Sequence, residues 1–210
     1  MATRLDYDSR SLMKRHGAPL KGLLADRSVG LEDVAAWLEE ATPEVRIHAC
    51  RALGGAAQRR LWELSEGRLV RADDMVPVSL APGRTVRHHG RNSLPAFRLF
   101  EKRFARVAAG GELHGYNHQA MASFTGPGYF VAGSDASRDT LVIDYRRVPT
   151  ERREGWPAIR DNVGGVAGLV YGDMVDVMRR VCEGVTIGRA VKHGRTTSNT
   201  FVLCREPLQH

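Results

Sequence analysis

Residues 112–131 read ELHGYNHQAMASFTGPGYFV. Two short runs of aromatic, apolar and polar residues flank Gly126-Pro127-Gly128. Glycine permits positive φ and proline presets its own, so this triplet is a turn signal. The runs on either side, around Glu112–His118 and Tyr129–Gly133, are expected strands. Alternation then divides the polar residues between two faces. Tyr116 and His118 share one face, and Asn117 and Gln119 share the other. Polar side chains beside a tight turn are well placed to form the mouth of a pocket.

The same texture runs outward in both directions. From Arg84 onward, residues such as Val86, Val142, Ile143, Thr186, Ile187, Phe201 and Val202 lie in short runs broken by Gly, Pro, Asn and Asp. That pattern specifies strands. About six are expected: Arg84–His89, Ala96–Val107, Glu112–His118, Tyr129–Gly133, Thr140–Arg147, and a closing hairpin of Val185–Lys192 with Thr200–Arg205. The segment from Leu94 to Phe104 is open to either reading. Phe97, Phe100, Glu101 and Phe104 fit a helix, whereas Phe100, Lys102 and Phe104 fit a strand. Tyr171–Val181 reads as a short amphipathic helix with Met174, Val175, Met178 and Val181 on its apolar face and acids ahead of bases.

The first part is different. Leu31, Val34, Ala35 and Leu38 recur at helical spacing, with acids on the opposite face. Thr42-Pro43 restarts a helix, Thr42 as N-cap and Pro43 at the first position. Gly54-Gly55 is expected to end it, and a third helix covers roughly Ala56–Ser65. Residues 1–30 read as a leader in which Leu20, Leu23 and Leu24 form a docking turn. Pro77, Pro82 and Gly83 mark a connector. The expected organisation is a helical unit over 1–77 and a β-rich domain over 78–210. The fold class is α+β, with an antiparallel, barrel-like domain and one flanking helix.

The net charge of +7 belongs wholly to the second part, because residues 1–77 carry 12 basic and 12 acidic residues. Such asymmetry points to an anionic or acidic partner for one part. Arg84, Arg87, Arg91, Arg98, Lys102, Arg103 and Arg106 crowd into one segment with Phe97, Phe100 and Phe104. This is either a surface for single-stranded nucleic acid or an acidic protein, or an amphipathic element with buried phenylalanines; the second is favoured because regularly spaced Phe are usually core. Three cysteines without C-x-x-C spacing indicate a reducing, cytoplasmic setting, with a Cys182–Cys204 bridge left open. No apolar run approaches the ~20 residues of a membrane span.

No motif of known chemistry is complete. Gly-x-Ser-x-Gly and the P-loop ending are absent, and no cofactor is indicated. His88, His89, His114 and His118 lack diagnostic metal spacing, so no metal is assigned. Asp144 reads as half of an ion pair with Arg146.

The C-terminal run YGDMVDVMRRV, GVTIGRAVKHG and NTFVLCRE resembles the end of the small lipocalin-like β-barrel proteins named for a Gly-x-Trp-x-Gly motif. The motif itself does not occur here. The resemblance implies a ligand-holding barrel and no particular activity. The expected function is therefore binding of a small, anionic or amphipathic molecule, with Asn117, Arg87, Arg91, Arg103 and Tyr129 as ligand contacts. The alternative is an enzyme in the same cavity, with His118 or His114 as acid–base and Tyr116 orienting the substrate. The oligomeric state is not legible.

Overall fold

A hydrogen-bonded ring of eight antiparallel strands forms the body of the molecule, each strand paired with its sequence neighbour and the last closing on the first. The structure is a computed structural model that describes residues 19–94, 98–107, 111–119, 126–135 and 137–208. The strands are β1 Val86–Asn92, β2 Leu99–Arg106, β3 Leu113–His118, β4 Tyr129–Asp135, β5 Thr140–Asp144, β6 Met174–Cys182, β7 Val185–Lys192 and β8 Arg195–Arg205. Closure leaves no edge with unpaired backbone groups. The α+β class and the barrel agree with the sequence. Phe97 of the basic segment and residues 120–125 of the stretch quoted first lie outside the described residues.

Ahead of the barrel come α1 Leu20–Ala25, α2 Leu31–Glu40, α3 Pro43–Ala52, α4 Gly55–Leu64 and the single turn α5 Ala72–Met75. The α2 stripe is buried as its spacing requires, and the Asp33 carboxylate accepts the Gly30 N–H at its start. Thr42 caps α3 through Val45 N, with Pro43 in the first turn. Gly54, expected to end α3, instead precedes α4 as its N-cap; α3 ends at Ala52 with Leu53 as its C-cap.

These helices cover the outside of the barrel. Val34, Leu38, Val45, Leu53 and Leu61 share one core with Val181, Val185, Ile187 and Val202, the outward residues of β6, β7 and β8. Buried Gln58 joins α4 to two strands by donating to Arg91 O and pairing with the Thr200 hydroxyl. A second core fills the barrel. Phe104, Phe130, Leu141, Ile143, Met178 and Leu203 face inward, and Val70, Met75 and Val76 close that end.

A further sequence expectation is corrected. Tyr171–Val181 is not a helix: α6 spans Gly165–Tyr171 and Met174–Cys182 is β6. Met174, Asp176 and Met178 alternate inward while Val175, Val177 and Val181 face out, a period that the 3.6-residue reading overlooked. β-Branched valines and cross-strand bonds to β7 decide the matter. The seven strand segments named from the sequence correspond to β1–β5, β7 and β8, and β6 is the eighth.

Candidate functional site

The barrel is packed at one end and open at the other. The open end holds a cavity of about 450 Å³ between the starts of β2, β6 and β8 and the ends of β1, β3 and β7. Phe100, Phe201, Leu169, Val170, Tyr171 and Met174 form its apolar wall, and Asn92, Gln119, Lys192, Thr197 and Asn199 add polar groups. The helix α6 lies across this mouth. Tyr171 stacks on Tyr145, 5.3 Å between ring centres, and accepts a hydrogen bond from Gln119 at 3.1 Å. Gly128 makes room for the Tyr171 ring, since a Cβ there would overlap it.

At the inner limit of the cavity sit Lys102, Asn117, Tyr145 and Asp176, one each from β2 and β3, the residue just after β5, and β6. The next inward residues along three of these strands, Phe104, Ile143 and Met178, belong to the packed core and do not reach the cavity. Lys102 and Asp176 are each only 3% exposed and form an ion pair at 3.2 Å. Lys102 Nζ also donates to Asn117 Oδ1 at 3.0 Å and to the Tyr145 hydroxyl. Asn117 Nδ2 donates to Tyr145 at 3.1 Å. Thus all three ammonium protons have acceptors. Four rings enclose the same nitrogen: Tyr145 at 4.8 Å, Phe201 at 4.9 Å, Phe130 at 5.2 Å and Phe100 at 5.6 Å. A cation facing ring surfaces is stabilised by their quadrupoles.

Burial governs the electrostatics. It draws the Lys102 ammonium below the ordinary lysine value, and the neighbouring Asp176 charge only opposes this. It raises the Asp176 carboxyl, with Lys102 opposing. It also carries the Tyr145 phenol well above the tyrosine range, helped by the charge of Asp176. Both members of the pair are therefore pulled toward their neutral forms, which eases proton movement between them.

The sequence nominated different residues. Asn117 does line the cavity. His114, Tyr116 and His118 alternate outward on β3, so the expected His/Tyr acid–base set does not lie in the barrel cavity; register, not residue type, excludes it. Tyr116 packs against Trp156 at 4.9 Å and Tyr129 at 5.6 Å, beneath the long segment after β5. Tyr129 is held by its hydroxyl on Pro157 O, and burial pushes its phenol up to about 12. Arg103 is outside as well, bonded to Glu101 and to the Tyr116 hydroxyl. Arg103 and Tyr116, with His118, Pro157 and Arg160, border a separate groove on the outer wall. His114 is half-buried and lowered, first by burial and then by Arg153. Arg87 pairs with Glu206, and Arg91 donates to Arg51 O.

The basic segment divides in the same way. Phe100 and Phe104 face into the barrel, where no base can stack on them, and Lys102 lies between them. Asp144 pairs with Arg146 at 2.8 Å, as its spacing implied. His88 faces inward and His89 outward from adjacent positions; among the described residues no group of His, Cys, Asp and Glu has metal-binding geometry. Cys50, Cys182 and Cys204 are all buried and free, so the open Cys182–Cys204 bridge is not formed. Among the described residues no helix is long and apolar enough to cross a membrane.

Lys102, Asp176, Tyr145 and Tyr171 were missed as site residues. A signal existed for the first two. A lysine in phase with Phe100 and Phe104 on a strand must point into the core, and Asp176 is in phase with Met174 and Met178. Comparison with family models, with curated proteins and with solved structures finds no match to this chain.

Proposed function

We propose that the barrel binds a small amphipathic molecule in its open end, in the ligand-holding manner that the lipocalin-like resemblance implies. The apolar body lies between Phe100, Phe201 and Val170, and an uncharged polar head meets Lys102, Asn117 and Tyr145. The observation that carries this reading is a complete polar cluster at the bottom of a mostly apolar cavity of about 450 Å³. A few convergent polar groups in an apolar pocket of this size are the usual design of a small-molecule site. Leu169, 77% exposed, and Leu94, 37% exposed, extend the apolar surface to the rim, which favours entry of an apolar molecule.

An anionic head, the other expectation from the sequence, fits less well. Asp176 already neutralises Lys102, so a second anion would enter a low-dielectric space beside a carboxylate. Three buried free thiols favour a reducing, cytoplasmic location.

The test uses N-phenyl-1-naphthylamine, an uncharged probe whose fluorescence rises in apolar surroundings. Wild type is expected to bind it at one saturable site. Ala190→Trp, which fills the cavity from β7, is expected to abolish the signal without lowering the unfolding midpoint. The sulfonated analogue is expected to bind more weakly. Undiminished probe binding by a folded A190W would place the ligand elsewhere.

A further inference from the structure

We propose that Lys102 captures aldehydes or ketones covalently, as a Schiff base at the inner end of the barrel cavity. This rests on the cavity being the binding site and names the class of molecule bound there. A lysine placed only for stability would be packed on every side. Lys102 instead borders open space, in a chamber whose wall is mostly apolar, with Asn92, Gln119, Lys192, Thr197 and Asn199 as its other polar residues. Its amine is positioned by three partners, of which two can take and return protons: Asp176 at 3.2 Å and the Tyr145 hydroxyl in contact; Asn117 Oδ1 only orients it. The net neutrality of the pair turns away anions but not an uncharged carbonyl. Apolar surroundings also favour the neutral, nucleophilic amine.

The chemistry closes without an outside reagent. Lys102 passes one proton to the Asp176 carboxylate and becomes a free amine. The amine lone pair forms a C–N bond to the carbonyl carbon while the C=O π pair moves to oxygen. One N–H proton reaches that oxygen through the Tyr145 hydroxyl, giving a neutral carbinolamine. The nitrogen lone pair then forms C=N and expels the hydroxyl, which takes the proton from Asp176 and leaves as water. The product is a protonated imine beside an Asp176 carboxylate. One ammonium and one carbonyl have become one iminium and one water, with the charge unchanged. The four rings around Nζ that face the ammonium also face the iminium.

The full chain provides its own controls, because it has four lysines, Lys14, Lys21, Lys102 and Lys192. Lys192 stands at the rim of the same cavity. Wild type is incubated with octanal and sodium cyanoborohydride, and the adduct is located by peptide mass spectrometry. The expected result is a single adduct, heavier by the aldehyde plus two hydrogens less one water, on Lys102. Its rate should exceed that at Lys21 and Lys192 severalfold, since burial favours the free amine of Lys102 and the cavity holds the aldehyde beside it. Lys102→Arg keeps the charge and should lose the adduct, and wild type should bind N-phenyl-1-naphthylamine. That probe has no carbonyl, so it reports the cavity independently of the covalent step. Retained probe binding with octanal only on Lys14, Lys21, Lys192 or the terminal amine would overturn Schiff-base formation and leave the binding site standing. Loss of both in wild type would overturn the two readings together. The wild-type map decides the matter even if K102R does not fold.

Discussion

His88 shows how one position in an alternating strand becomes a stability determinant. It is 1% exposed, meets Phe104 edge-on at 5.1 Å, and its Nε2 donates to Met75 O at 2.9 Å. Among the described residues Nδ1 has no hydrogen-bond partner. That arrangement suits the neutral ring only, and burial lowers the group from 6.5 to about 3. Between those values the unfolded chain binds a proton that the folded chain does not. Stability is therefore fully present above pH 6.5 and falls as the pH drops toward 3, by about 1.4 kcal/mol per pH unit at the steepest. His88→Gln keeps a donor for Met75 O and cannot titrate. Urea unfolding of both proteins at several pH values between 7 and 4.5 should show H88Q with the flatter dependence by about that amount. Parallel curves would mean that His88 is accessible to protons in the fold. Lys102 belongs to the same scale: its type was legible as a cation between two phenylalanines, but its role needed Asp176, 74 residues later, at 3.2 Å.

Within the elements, the barrel interior is built from cross-strand pairs of glycine and phenylalanine. Gly90 faces Phe100, Gly115 faces Phe130, and Gly188 faces Phe201 in the strand registers. At each glycine an added Cβ would overlap the partner ring. The glycines weaken strands by themselves, and the rings laid across them restore the packing. Gly188→Ala should therefore cost about 1–3 kcal/mol through overpacking. Combining it with Phe201→Leu should recover part of that loss, so the two changes together should be less damaging than their sum. A strictly additive pair in denaturant titrations would show that Phe201 can move aside freely. The register that sets these pairs also sends Tyr116 and His118 outward. It could not be read from β3 alone, because a one-residue shift exchanges the two faces.

For the whole molecule, the helices and the barrel are one packing problem. Leu38 of α2 is fully buried in the core that also holds Val185, Ile187 and Val202. Arg179 of β6 lies 4.0 Å from the centre of the Trp62 ring and donates to Trp62 O at 2.7 Å. Leu38→Ala should cost about 2–5 kcal/mol. It should lower together the midpoint for loss of helical circular dichroism and the midpoint for release of a bound cavity probe. Helices that melt first, with the probe still held, would show that the helical layer is not needed to keep the cavity.

The sequence by itself determined the helical beginning, the α+β class and the strand-rich remainder. Those features are written in local periodicity and in punctuation such as Thr42-Pro43 and His193-Gly194. It left β6 misread as a helix, because a short apolar run satisfies both periods until its partners are known. It also could not say which face of β3 turns toward the cavity, since alternation separates two faces without saying which is inside. Only the closed ring of strands decided that. Closure turned Lys102, Asn117, Tyr145 and Asp176 toward one point from four strands or their ends, and left one end of the barrel unfilled. A buried charge is tolerated only where its partner converges on it, and convergence is a property of tertiary structure rather than of any segment.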